Sequence, residues 1–158
     1  GNVSNQIFLG DAPGSSIVYS WAWEPDAGGV VCLSTNSTTG TIFTAYAASG
    51  SDIDAAWSFP PASPDSGSNT FNETGCNLTI GDAVIINTGK SETGSAGGFY
   101  TCLAKSYTAP TKDQMIFCSH IINNGTTWDG GTGDFEVMVP TSYGFNATET
   151  YYFYANLN

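Results

Sequence analysis

His120 is the only histidine in the chain, so any hydrolytic triad would have to be built on it. It follows Cys118 in an apolar run with Ile116, Phe117, Ile121 and Ile122, and no G-x-S-x-G nucleophile motif accompanies it. A solvated or hydrogen-bonded strand histidine is the preferred reading. Carboxylates two residues apart occur at Glu24/Asp26, Asp52/Asp54 and Asp134/Glu136. Glycoside hydrolysis needs two carboxyl groups about 5–9.5 Å apart across a cleft, and strand neighbours at that spacing could supply them. The spacing is common in any acidic chain, however, and solvated loop acids explain it better. For a hard cation the candidate is Asp129-Gly130-Gly131-Thr132-Gly133-Asp134, with Asp129 and Asp134 as calcium ligands. It lacks the D-x-[DN]-x-[DN]-G spacing of an EF-hand, and a Gly-rich turn is the preferred reading. No C-x₂₋₄-C pair suits zinc. We expect no metal, no cofactor and no enzymatic activity.

Aromatic residues carry more information. Trp21 and Trp23 share a face if Ser16–Trp23 is a strand, while Trp57 and Trp128 sit near loops. Paired tryptophans can form a platform for sugar rings, although core packing is the simpler role. Six N-x-S/T sequons occur, at Asn2, Asn36, Asn72, Asn77, Asn124 and Asn146. The 12 asparagines and 36 serines and threonines would give fewer than three by chance. Four cysteines, Cys32, Cys76, Cys102 and Cys118, suit two disulfides. A hairpin centred near residue 110 would set Cys102 opposite Cys118, which favours that bridge and leaves Cys32 with Cys76.

The elements that must position these residues follow from composition. The 158-residue chain is the size of one domain. Charged residues make up 11%, the net charge is -11, and Lys90, Lys105 and Lys112 are the only cations besides the chain's amino end. Three scattered lysines cannot neutralise a phosphate backbone or an anionic bilayer, so nucleic acid is excluded as a partner. No apolar run approaches the roughly 18–20 residues of a spanning helix. No signal-peptide pattern opens the chain, and we expect Gly1 to be a processed mature end. With the cysteines and sequons, this points to an extracellular, cell-surface location and covalent N-glycans.

Short β-branched and aromatic runs bounded by Gly, Pro, Asn, Asp or Ser recur throughout. They predict strands at Gln6–Leu9, Ser16–Trp23, Val30–Ser34, Thr41–Ala47, Ala55–Phe59, Cys76–Ile80, Ala83–Asn87, Gly98–Ala104, Gln114–Ile122, Phe135–Val139 and Thr150–Ala155. Pro60–Thr74 and Gly89–Gly97 read as loops. The expected fold is all-β, an Ig-like or jelly-roll antiparallel β-sandwich. An N-terminal strand at residues 1–10 extends from a sandwich domain at 11–158.

The chain ends are the most informative part. The run Thr150–Leu157 is apolar on both strand faces, as in a strand covered on both sides. Val3, Asn5, Ile7 and Leu9 share one face of a short N-terminal segment suited to strand addition in a neighbour's groove. In its Asn2–Leu9 segment, its aromatic last strand Tyr151–Tyr154 and its sequons, the chain resembles the extracellular filament subunits that polymerise by donor-strand exchange. That resemblance implies a homopolymer built by tail insertion, with Val3, Asn5, Ile7, Leu9, Tyr152 and Tyr154 at the subunit interface and glycans outside. The alternative is a secreted carbohydrate-binding module or lectin using Trp21 and Trp23 or Trp57 and Trp128.

Overall fold

The computed structural model describes residues 29–37, 45–94, 96, 98–141 and 149–157. The strands are β1 (Gly29–Ser34), β2 (Tyr46–Ala47), β3 (Glu73–Ile80), β4 (Ala83–Glu92), β5 (Tyr100–Lys105), β6 (Met115–His120), β7 (Gly125–Thr126), β8 (Thr132–Gly133) and β9 (Tyr152–Leu157). Two short helices, α1 (Gly50–Trp57) and α2 (Gly67–Thr70), lie between β2 and β3. The fold is predominantly an antiparallel sheet in the order β3-β4-β5-β6-β1-β9, with β2 added beside β5 and β7–β8 as a separate pair.

The central strands β1, β5 and β6 are buried almost throughout, which requires cover on both faces. On one face Val30, Cys32, Cys102, Ala104, Ile116 and Cys118 pack against Cys76, Leu78, Ile80 and Ile85 of the β3–β4 hairpin. On the other, Leu103, Met115 and Phe117 pack against Ala48, Phe71 and the helical Ile53 and Trp57. Phe117 anchors the second cluster, with the rings of Trp57, Phe71 and Tyr151 at 5.9, 6.3 and 6.2 Å.

Strand β4 links the outer hairpin to the central strands. It pairs with β3 along most of its length (Ile80↔Ala83 to Glu73↔Lys90, with register shifts between Glu73 and Leu78) and with β5 through its last three residues (Lys90↔Cys102, Ser91↔Thr101, Glu92↔Tyr100). Between these regions the buried Thr88 hydroxyl accepts from Ala48 N at 2.9 Å and donates to Leu103 O at 2.5 Å. Gly89 N donates to Ala48 O at 2.8 Å, and a Cβ on Gly89 would stand 2.9 Å from that same oxygen. The hairpin thereby folds back over the sheet, and Asn156 Nδ2 of β9 donates to Thr79 O of β3 at 3.2 Å.

Several expectations are corrected. Ala55–Phe59 is not a strand: Ser49 caps α1, Asp52 Oδ2 accepts from Ser49 N at 2.9 Å, and Ile53 and Trp57, four residues apart, share its buried face. The Pro60–Thr74 loop contains α2 and the start of β3, and β4 runs into the expected loop as far as Glu92. Phe135–Val139 has no strand pairing. The expected strand at Thr41–Ala47 is described only at Tyr46–Ala47, and those at Gln6–Leu9 and Ser16–Trp23 lie outside the described residues.

The disulfides are Cys32–Cys118 and Cys76–Cys102, with Cα separations of 4.0 and 6.0 Å, in place of the expected Cys102–Cys118 and Cys32–Cys76. Cys102 does lie opposite Cys118, but Cys118 has a second cross-strand neighbour in Cys32 of β1. The folded-back hairpin packs Cys76 into the same cluster as Cys102, so each inner cysteine bonds outward.

Candidate functional site

Three surface regions could carry function. The first is an open cavity of about 610 Å³ between the helical segment and the chain at 138–141. Its walls include Ile53, Phe59, Phe71, Met138 and Pro140, with Asp65 as its one ionisable group. The Ser63 hydroxyl donates to Asp65 Oδ1 at 2.7 Å and holds this carboxyl below the usual carboxylate range. Behind the cavity, the buried Asp54 takes three hydrogen bonds from the start of α2. These come from Gly67 N at 2.6 Å, Ser68 N at 3.0 Å and Ser68 Oγ at 2.5 Å. The two helices touch backbone to backbone, since a Cβ on Gly67 would stand 2.4 Å from Gly50 O. Among its described lining residues, one acid beside apolar side chains makes a surface suited to binding.

The other acid pairs are similarly occupied. Asp52 Oδ1 pairs with Lys105 Nζ at 2.8 Å while its second oxygen caps α1, so Asp52 and Asp54 serve different helices. Asp134 Oδ1 accepts from Asn124 N at 3.2 Å, and both Glu136 oxygens accept from Trp128 N at 3.1 Å. Glu24 and Asp26 lie outside the described residues. Each lysine also meets an acid: Lys90–Glu73 at 3.7 Å, Lys105–Asp52 at 2.8 Å and Lys112–Glu149 at 3.2 Å.

The second region is the β7–β8 turn. Asp129 Oδ1 accepts from Thr127 Oγ1 at 2.6 Å and from Gly131 N at 3.0 Å, which lowers the Asp129 pKa and closes the turn. Asp134 is buried and its Oδ1 accepts from Asn124 N. Trp128 stands out from the turn at 75% exposure. Trp57 is only 5% exposed, inside the second core cluster, with its Nε1 unpaired, so it forms no platform with Trp128. Trp21 and Trp23 lie outside the described residues.

The third region is the end strand β9. Among the described residues it pairs only with β1. Its expected cover on both faces is not found within the described chain. Tyr151 and Tyr154 are half-buried on opposite faces, but Tyr152 is 42% and Phe153 64% exposed. Tyr154 donates its hydroxyl to Asn36 O and packs against its own core, while Tyr152 is open. Sequence reasoning did not single out Phe153, which stands on the face of β9 opposite Tyr154. Its ring meets Phe135 at 6.5 Å. Val3, Asn5, Ile7 and Leu9 lie outside the described residues.

His120 is exposed at the end of β6, and one of its ring nitrogens lies within 4.8 Å of the sulfurs of Cys76 and Cys102. Sulfurs joined in a disulfide offer no thiolate, so the intact bridge leaves no zinc ligand set there. Of the sequon asparagines, Asn72, Asn77 and Asn124 are exposed, Asn36 is half-buried, and Asn2 and Asn146 lie outside the described residues. Among the described residues no helix is long and apolar enough to cross a membrane. No protein-family model matches the sequence, and no curated protein or solved structure matches it either.

Proposed function

We propose that the protein is a non-enzymatic structural subunit of an extracellular, glycosylated filament or surface layer. In this reading subunits join by β-strand addition, the N-terminal segment of one copy entering a neighbour. The observation that carries the proposal is the end strand β9. It is six residues long, is paired on one side among the described residues, and displays Tyr152 and Phe153 to solvent. A strand that shows aromatic side chains to solvent at the side of a sheet can serve as a template for another chain. The alternating Val3, Ile7 and Leu9 have the pattern that such an edge accepts, with Asn5 between them. Two disulfides and the scarcity of charge suit a durable protein in an oxidising compartment. The cover on both faces of the central strands suits a sandwich-like plan.

The test is assembly of the secreted full chain, viewed by negative-stain microscopy beside a variant lacking residues 1–9 and the variant Phe153→Asp. Wild type should form polymers, and both variants should stay monomeric with an unchanged near-ultraviolet spectrum. Polymers of normal length from either variant would refute the β9 reading. A second reading, carbohydrate binding, draws on Trp128 at the tip of β7–β8. It predicts glycan-array binding that Trp128→Ala abolishes.

A further inference from the structure

The outer face of the β3–β4 hairpin carries two exposed aliphatic side chains, Val84 and Ile86, each 68% exposed. They alternate with Ile85, which points into the core with Leu78 and Ile80. The same alternation on β3 buries Cys76, Leu78 and Ile80 and turns Asn77 and Thr79 outward. Thr79 lies directly opposite Val84. The ladder shifts register between Cys76 and Leu78, and in that gap Asn77 Oδ1 accepts from Asn87 N at 2.9 Å, next to Ile86. The amide group is planar, so engaging its oxygen with the β4 backbone turns Nδ2 away from that N–H. Asn77-Leu78-Thr79 is also one of the six sequons.

We propose that Asn77 carries an N-linked glycan whose first sugars lie across Val84 and Ile86 and cover the outer face of the hairpin. The attachment joins Asn77 Nδ2 to the anomeric carbon of a lipid-pyrophosphate-linked oligosaccharide. Nδ2 loses one proton and the lipid pyrophosphate departs. The carbon-bound faces of the sugar rings then take up the apolar contact that Val84 and Ile86 otherwise make with water. The inference rests on the extracellular reading and is independent of filament assembly.

The test begins with the full chain secreted from a glycosylating eukaryotic host and mapped by glycopeptide mass spectrometry. Asn77 should be occupied in the wild type and bare in Thr79→Ala, which removes the acceptor hydroxyl but keeps the Asn77–Asn87 hydrogen bond. Thr79→Ala should bind about two- to threefold more of an apolar fluorescent dye and lose part of its monomer peak in size-exclusion chromatography. Adding Val84→Thr and Ile86→Thr should restore both readings. Enzymatic removal of glycans from the folded wild type gives the same comparison without a substitution. Sugar at Asn36, Asn72 or Asn124 with Asn77 bare would overturn this inference and leave the glycosylated reading standing. A chain without sugar anywhere would overturn both. An occupied Asn77 whose removal changes neither dye binding nor the monomer peak would overturn the shielding.

Discussion

Asp54 joins the two helices through one carboxylate. Its three donors, Gly67 N, Ser68 N and Ser68 Oγ, have no alternative partner of that geometry once the group is gone. Asp54→Ala should therefore cost about 2–4 kcal/mol, read as a lower urea midpoint, with Asp54→Asn in between because one oxygen remains to accept. Tyr151 provides a pH-dependent test. Burial, with the charge of Glu149 adding to it, raises the phenol pKa well above its ordinary value. The folded state keeps a proton that the unfolded chain loses above about pH 10, so Tyr151 contributes fully below that pH and its contribution falls as pH rises. Urea unfolding between pH 9 and pH 11 should show a steeper loss of stability in the wild type than in Tyr151→Phe. The carboxylate pairs show what could be read at this scale. The expectation of solvated loop acids fails for Asp54, buried within α1, and for Asp134, which is also buried, because the donors that hold them, such as Gly67 N for Asp54 and Asn124 N for Asp134, are brought in by the fold.

The cysteines make the same point at the scale of elements. The facing of Cys102 and Cys118 was legible, because it needs only two adjacent strands and the turn between them. Their partners were not legible, because the pairing depends on β1 lying against the far side of β6 and on the β3–β4 hairpin packing Cys76 beside Cys102. The two bridges should fail differently. Cys32–Cys118 spans 86 residues and Cys76–Cys102 spans 26, for which loop closure gives roughly 4–5 and 3–4 kcal/mol. Replacing Cys32 and Cys118 by Ser should lower the global unfolding free energy more. Replacing Cys76 and Cys102 should accelerate amide hydrogen exchange first in β3 and the β4 residues paired with it, since that bridge fastens the hairpin to the central strands. Equal protection of all strands in the second variant would show that packing of Leu78, Ile80 and Ile85 alone holds the hairpin. Helix α1 was overlooked for a related reason. Eight residues are too few for periodicity to outweigh β-prone neighbours, although the Ser49–Asp52 cap and the Ile53–Trp57 spacing were already present in the chain.

For the whole molecule the dominant quantity is a net charge of -11 with every lysine beside an acid. Copies of such a chain repel one another at low ionic strength, and in the proposed filament short-range strand pairing would have to overcome that repulsion. Assembly of the purified secreted chain should therefore rise between 10 mM and 500 mM sodium chloride, read by sedimentation or light scattering. Assembly that weakens with salt would show that charge pairing, and not strand addition at β9, joins the subunits. The same chain-wide view separates the open surfaces. Val84 and Ile86 alternate with buried neighbours within one hairpin, whereas Tyr152 and Phe153 are adjacent and exposed on opposite faces of a terminal strand.

Composition and local pattern by themselves determined that the polypeptide is mostly antiparallel strand. They also marked where most of the described strands run, showed that its cysteines pair off, and excluded any spanning helix-length apolar run. These properties depend on residue type and on neighbours a few positions away, where propensity and alternation act. Only the tertiary structure decided which sulfurs join, that Trp57 is core, which described strand is paired on one side alone and which aliphatic pair faces water. Each of these depends on contacts between residues tens of positions apart, brought together when the β3–β4 hairpin closes over the central strands.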